Sequence, residues 1–486
     1  MNSEIKQLEP QEIWQNFADL NAVPRPSKKE ERVIAFMKNF GQNLNLETIV
    51  DEVGNVIIKK PATAGMEDRK AIVLQSHLDM VHQKNSDTNF NFETQGIEMF
   101  VDEDWVKAKG TTLGADNGLG VATIMAILES NTIQHPAIEA LFTIDEETGM
   151  TGAMGLKGGI LKGDILLNLD TEEDDEIGVG CAGGIDVTAT RSYFEQPTSD
   201  HEVGFKVEVK GLQGGHSGMD IHRGFGNANK IMNRILYNLY QKFNIKIAEI
   251  DGGSLRNAIP RESFSTIVVS KNYSDALEPE IKSLSTIICN EYKTMEPDLI
   301  IGVSKTTTPT NVMVESTQIG LLRALYATLN GVYSMSADIP ELVETSNNLA
   351  RVIAKNGQIK VGCLTRSSVE SSKMDLANML KATFELAGCG VEFTGHYPGW
   401  TPNMDSDILK VMVPLYEELN GEKPHVAACH AGLECGILGQ NYPNMDMISF
   451  GPNIKGAHSP DERAQISSVK KYWKFVLEIL KNIPKK

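Results

Sequence analysis

Short apolar runs that end on acids or a histidine constrain this sequence most. Residues 71–76 lead into His77 and Asp79 in AIVLQSHLDM, 138–144 into Glu146 and Glu147 in LFTIDEETG, and 165–169 into Asp170 in ILLNLD. Runs this short and apolar, bounded by polar residues, read as strands covered on both faces. Residues 118–128, small and apolar at helical spacing, stand between the first two. Strands alternating with helices predict an α/β architecture with a mixed, mostly parallel sheet flanked by helices. In such open sheets ligands bind beyond the carboxyl ends of the strands, where these acids cluster.

The remainder of the chain divides by texture. Helical spacing at 12–20 and 30–40 brackets the turn VPRPS, and strands at 46–50 and 55–59 are joined by DEVGN. From about Val187 the pattern changes. A strand at 205–209 precedes the glycine-rich GLQGGHSGMD. Helices follow at 227–243, 276–292, 319–329 and 369–386, with strands around 245, 264–269, 299–303, 349–354 and 359–364. After Trp400 come a helix at 407–419, strands at 426–428 and 446–450, and a terminal helix at 467–483. This predicts an α+β domain, 187–397, inserted in a domain built from 1–186 and 398–486.

The chain has 486 residues, with 46 Lys and Arg against 64 Asp and Glu, a formal net charge of −18. That length holds two domains without disulfides or metal staples. The acidic balance argues against nucleic acid as a partner, since a phosphate track needs clustered basic residues, and against an anionic membrane surface. No apolar run reaches the roughly 18 residues of a membrane span. The stretch MNSEIKQLEPQEIWQNF lacks the apolar core of a secretory signal. Six cysteines without a CxxC pair fit reduced thiols, and the expected location is cytoplasmic.

Each polar position has an ordinary reading and a chemical one. Asp116 in TTLGADNGLG is either a helix N-cap or a ligand. His77 with Asp79 fits an imidazole and its orienting carboxylate. Glu146 and Glu147 are neighbours and cannot share one role. One can hold a metal while the other takes a proton from water; a charged strand-to-helix loop is the alternative. His458 lies in the loop sequence FGPNIKGAHSPDE. Acids gathered at one sheet edge need a cation, or their pKa values rise and some neutralise. The run from Glu172 to Glu176 reads as a solvated loop. His430 and Glu434 in CHAGLECGI suit either a substrate ammonium or a helix start.

Taken together, SHLDM, TTLGADNGLG, DEETGM, NLDTEE and GAHSPDE, in this order, resemble the metal-site motifs of the di-zinc exopeptidases that include acetylornithine deacetylase, carboxypeptidase G and bacterial dipeptidases. GCAGGID, GLQGGHSGMDIHRGFGNA, NAIPRE and HAGLECG narrow the resemblance to the dipeptidases, over essentially the whole chain. The resemblance implies a zinc-exopeptidase-like catalytic domain with an inserted lid and dimerisation domain. It implies that His77 and Asp170 bind one metal ion, that Glu147 and His458 bind a second, and that Asp116 bridges them. Glu146 would be the general base and Asp79 the support of His77. The implied cofactor is two Zn2+ per subunit, with Co2+ or Mn2+ as substitutes. His216 would donate to the developing oxyanion. Asn257 and Arg366 would clamp a substrate's C-terminal carboxylate, which suits the bidentate guanidinium fork. The implied activity is hydrolysis of dipeptides with a free carboxylate, broad in specificity and including Xaa-His. An N-acyl-amino-acid amidohydrolase on the same scaffold is the alternative. The implied assembly is a homodimer.

Overall fold

The computed structural model describes residues 2–486. The chain forms two compact units. The first comprises Met1–Gly180, Trp400–Ala428 and Leu433–Lys486, and the second Cys181–Gly399 and Cys429–Gly432. Cys429–Gly432 therefore packs with the second unit although the chain on either side belongs to the first.

Eight strands form the main sheet of the first unit: β1 (Glu47–Val50), β2 (Val56–Lys60), β3 (Ile72–His77), β4 (Ile138–Thr143), β5 (Ile165–Asn168), β6 (Glu176–Cys181), β7 (His425–Cys429) and β8 (Asp446–Ser449). Their order across the sheet is β1-β2-β4-β3-β5-β8-β6-β7. The central strands β4-β3-β5-β8 are mutually parallel. Strands β1 and β2 pair antiparallel with their neighbours, and β6 pairs antiparallel with β8. Every residue of β3, β4 and β5 is buried, as strands covered on both faces require. The helix Ala115–Glu129 is buried almost all round, from Asn117 to Leu128. Its Gly120 lies so close to Ser76 and to the Leu169 carbonyl that a Cβ would overlap both. Because the four central strands are parallel, their carboxyl ends all emerge at one edge.

A smaller sheet of Ile454–Lys455, Arg463–Gln465, Trp105–Ala108 and Met99–Asp102 completes the first unit. Lys455 pairs with Arg463, so residues 456–462 form the loop of a hairpin. Among the described residues no disulfide forms, and no helix is long and apolar enough to cross a membrane.

The second unit is an antiparallel sheet with helices packed on it. Its strands run in the order Ile300–Thr306, Glu202–Lys210, Ser263–Ser270, Lys246–Gly253, Val343–Lys355, Gln358–Ser367, Gly183–Ser192 and Gly390–Tyr397, with Gly331–Met335 pairing Val343–Lys355. Apolar residues of the sheet (Phe205, Val207, Val361) meet those of the helices Ala228–Phe243, Ser274–Tyr292, Glu315–Ala327 and Glu370–Leu386 (Ile235, Ile281, Leu322, Leu380) in one core.

Candidate active site

The carboxyl ends of the parallel strands deliver the acids to one place. His77 is the last residue of β3. Glu146 and Glu147 follow β4, Asp170 follows β5, and the hairpin loop that carries His458 follows β8. Asp116 enters from the first turn of Ala115–Glu129, where its backbone leaves helical geometry; it does not cap that helix, whose N-cap position is Gly114. Asp145 and His458 both adopt left-handed backbone, φ 52° and 64°. Such geometry costs a non-glycine residue roughly 1–2 kcal/mol and collects at functional sites.

Asp116 is the centre of the arrangement. Its Oδ1 lies 3.2 Å from His77 Nε2 and its Oδ2 3.2 Å from His458 Nε2. His77 Nε2 is also 3.6 Å from Asp170 Oδ1, and His458 Nε2 is 3.1 Å from Glu147 Oε2. Two three-residue groups, His77–Asp116–Asp170 and Asp116–Glu147–His458, each bring their ligand atoms within 4.8 Å of one another, with Asp116 common to both. A third group joins Glu146 and Glu147 to His77.

The supporting contacts are equally specific. Asp79 is buried beside His77, with Oδ1 3.4 Å from Nδ1 and the Asp79 carbonyl 3.2 Å from the same nitrogen. A neutral His77 therefore keeps its proton on Nδ1 and presents the Nε2 lone pair to Asp116 and Asp170. The Asp79 carboxylate also accepts the backbone N–H groups of Glu146 (3.0 Å) and Glu147 (3.3 Å) and the hydroxyl of Ser27 (2.8 Å). Asn117 Nδ2 donates to the Leu169 carbonyl (2.6 Å) and to Asp170.

These groups cannot all keep their preferred charges. Burial pushes Glu146 well above the usual carboxylate range, helped by Glu434, Glu147 and Asp116. Burial does the same to Asp170 against the pull of His77. Burial would lower His77, but Asp170, Asp116 and Asp79 together raise it well above its ordinary value. Hydrogen bonds to Asp116 and Glu147 raise His458 to about 11. Asp116 goes the other way: burial opposes its ionisation, yet the two histidines hold it below the usual range. Glu147 Oε1 is buried with no hydrogen-bond partner among the described residues. Crowded hard and borderline donors, with one carboxylate oxygen unmatched, are what a pair of divalent cations would satisfy.

The other expected residues divide between the units. In the second unit, His216 Nδ1 accepts from the N–H groups of Gly218 (3.2 Å) and Met219 (3.0 Å). Burial and Arg366 lower the pKa of His216, so the ring is neutral with its proton on Nε2. Arg366, 4% exposed, donates to Tyr397 Oη (2.7 Å) and more weakly to Ser217 Oγ (3.4 Å), and has no carboxylate partner among the described residues. Asn257 is exposed, and its carbonyl accepts the Ser217 N–H at 2.8 Å, which ties it to the same cluster. His430 belongs to the second unit, with Nε2 2.7 Å from Ser346 Oγ. Glu434 belongs to the first unit and is fully buried. Its Oε2 accepts from Gln75 Nε2 and Thr143 Oγ1, both at 2.6 Å, while Oε1 has no partner among the described residues. From Gln75 the hydrogen bonds continue through Asn168 to Ser449, crossing β3, β5 and β8 beneath the edge where the acids gather.

Arg25 and Glu462 are buried charges that support this site without any signal in the sequence. Arg25, in the VPRPS turn, donates to the carbonyls of Leu78, Asp79 and Gly114. Glu462, in GAHSPDE, accepts four successive backbone N–H groups, Leu113 to Asp116. Both bind backbone, which leaves no residue pattern to find.

The chain belongs to peptidase family M20/M25/M40, whose pattern matches residues 73–482. It is 42% identical over 484 residues to the cytosol non-specific dipeptidase of Escherichia coli (strain K12), a match that covers 100% of both chains. The crystal structure of aminoacylhistidine dipeptidase from Vibrio alginolyticus superimposes with a TM-score of 0.94 at 44% identity, covering 100% of this chain and 99% of that one. Aminopeptidase PepT from Bacillus cereus, at TM-score 0.58 and 15% identity over 98% of this chain and 99% of that one, shares the fold alone.

Proposed function

We propose that this chain is a metal-dependent dipeptidase of broad specificity, Xaa-His dipeptides included. The observation that carries the reading is Asp116, whose two oxygens face one histidine each, in a chain more than 40% identical over its full length to two proteins named as dipeptidases. His77 and Asp170 would hold one divalent cation, Glu147 and His458 a second, and Asp116 would serve both. The chemistry such cations supply when bound is Lewis acidity, which polarises a carbonyl and makes water acidic near neutral pH. Zinc is the ion that this nitrogen and oxygen donor set favours, with cobalt and manganese as substitutes.

The chain's own groups do the rest. Glu146, raised by burial and neighbouring carboxylates, is a base poised to take a proton from the attacking water and return it to the leaving amine. Asp79 fixes its position by accepting the Glu146 N–H, and it orients His77 at the same time. The Nε2–H of neutral His216 donates to the oxygen on which charge develops. Arg366, held by neutral partners, and Asn257 receive the substrate's carboxylate. Glu434 and His430 are assigned to the substrate's amino end, where Glu434 Oε1 has an acceptor to spare. The name of the Escherichia coli relative supports a cytoplasmic location, and a homodimer is the assembly proposed.

The test is a substrate panel: free dipeptides, their C-terminal amides and N-acetyl amino acids. The free dipeptides should be cleaved far faster than the other two classes. Preference for the N-acetyl amino acids would convert the reading to an amidohydrolase.

A further inference from the structure

We propose that Glu462 is a positioning residue that latches the His458 hairpin loop onto the turn presenting Asp116, and so sets the geometry of the metal site. The inference rests on the metal-site reading above and extends it to a residue that touches no ligand atom.

Residues 113–116 end a loop and begin the helix Ala115–Glu129. The N–H groups at a helix start have no partner within the helix. Here four in succession converge on one carboxylate. Glu462 Oε2 accepts from Leu113 (2.7 Å) and Gly114 (2.9 Å), and Oε1 from Ala115 (2.8 Å) and Asp116 (3.2 Å). Gly114 takes left-handed backbone, φ 70°, which turns the amides inward to form a concave anion receptor. The receptor is filled from within the protein, by a side chain that is 2% exposed. Gly114 is held from the other side as well, because its carbonyl accepts Arg25 Nη2 at 2.6 Å.

The geometry has a direct consequence for the site. Glu462 and His458 occupy the same hairpin loop, closed by the Lys455–Arg463 pair. One end of the loop fixes the backbone of Asp116, and the other places His458 Nε2 3.2 Å from the Asp116 side chain. Two segments more than 300 residues apart are thus joined twice (the separations are 346 and 342 residues). A carboxylate common to two cations tolerates little rotation, so the latch protects the orientation on which both would depend.

The experiment measures metal affinity, not turnover alone. Metal-free wild type, Glu462→Gln, Glu462→Asp and Asp461→Asn are each titrated with Zn2+ against a chelating dye, and their thermal midpoints are recorded without metal. Gln keeps the shape but turns an NH2 group toward two backbone donors. Partners behind a metal ligand typically contribute about 10–100-fold in affinity, so Glu462→Gln should bind zinc weaker by that factor. Its KM at saturating metal should be unchanged, and excess metal should restore its activity. Glu462→Asp, one methylene shorter, should fall between, and it carries the test if the Gln variant does not fold. Asp461→Asn removes the same charge from an exposed neighbour and should bind like wild type. Wild-type affinity in both Glu462 variants, with only a lower thermal midpoint, would overturn the latch. Equal weakening by Asp461→Asn would do so too, by making the effect one of net charge. A wild type that binds no zinc would overturn the metal-site reading itself.

Discussion

The two units carry opposite electrostatic problems. In the first, the carboxylates of Asp79, Asp116, Glu146, Glu147 and Asp170 crowd against two imidazoles, with Arg25 as a buried cation behind them. In the second, a buried guanidinium, Arg366, rests on the hydroxyls of Ser217 and Tyr397, and burial, with its positive charge second, lowers His216 and His430. One region asks for cations from outside and the other for an anion. The contrast matches the proposed roles, with metal and proton transfer assigned to the first unit and carboxylate recognition to the second.

That contrast can be broken by substitution. The largest effect should come from Asp116→Ala, which removes the shared carboxylate: elemental analysis should show metal falling from about two ions per chain to one or none, with activity lost. Full occupancy would contradict the shared role. Next, Glu146→Ala should retain metal yet lose about 10²–10⁴-fold in kcat. Near-normal turnover would remove Glu146 from proton transfer.

Arg366→Ala should act on recognition alone, with metal content intact and KM for dipeptides raised on the order of 10²-fold, in line with losing one partner of a buried charge pair. Dipeptide amides should be cleaved equally poorly by variant and wild type; if the wild type cleaves amide and free acid alike, the carboxylate role fails. The smallest effect concerns acidity. Burial and Arg366 hold His430 at about 3, below its ordinary 6.5. Its folded pKa lies under its unfolded one, so as pH falls below 6.5 the unfolded chain takes up the proton first and stability drops. The slope is at most about 1.4 kcal/mol per pH unit. Between pH 6.5 and 5, His430→Gln should therefore show a shallower decline in thermal midpoint than wild type. Parallel curves would mean that His430 titrates normally.

Much of the first unit was legible because its strands are buried on both faces, so 72–77, 138–143 and 165–168 stand out as apolar runs ending on acids. The second unit was harder. Gly183–Ser192 pairs on both sides, with Gln358–Ser367 and Gly390–Tyr397, yet it opens with two glycines, a residue type depleted in strands. Gly184 is there because the Tyr397 ring lies where a Cβ would stand, a packing demand that no local pattern records. Gly390–Tyr397 is a sheet-edge strand whose residues are mostly exposed, so it lacks an apolar signature. The residues set at strand ends were readable from type and place. Arg25 and Glu462 were not, because their partners are carbonyls and amides distant in sequence. Glu434 reads as a helix start, and the helix Glu434–Asn441 does begin there, but its side chain turns inward to Gln75 and Thr143.

The proposed activity pairs a dipeptide substrate with two divalent cations. The direct measurement is dipeptide hydrolysis by the intact chain after chelation, followed by stepwise return of Zn2+, Mn2+ or Co2+ with bound metal counted at each step. Hydrolysis should vanish with the metal and return as occupancy approaches about two ions per chain. Activity that survives complete removal of metal would contradict the account.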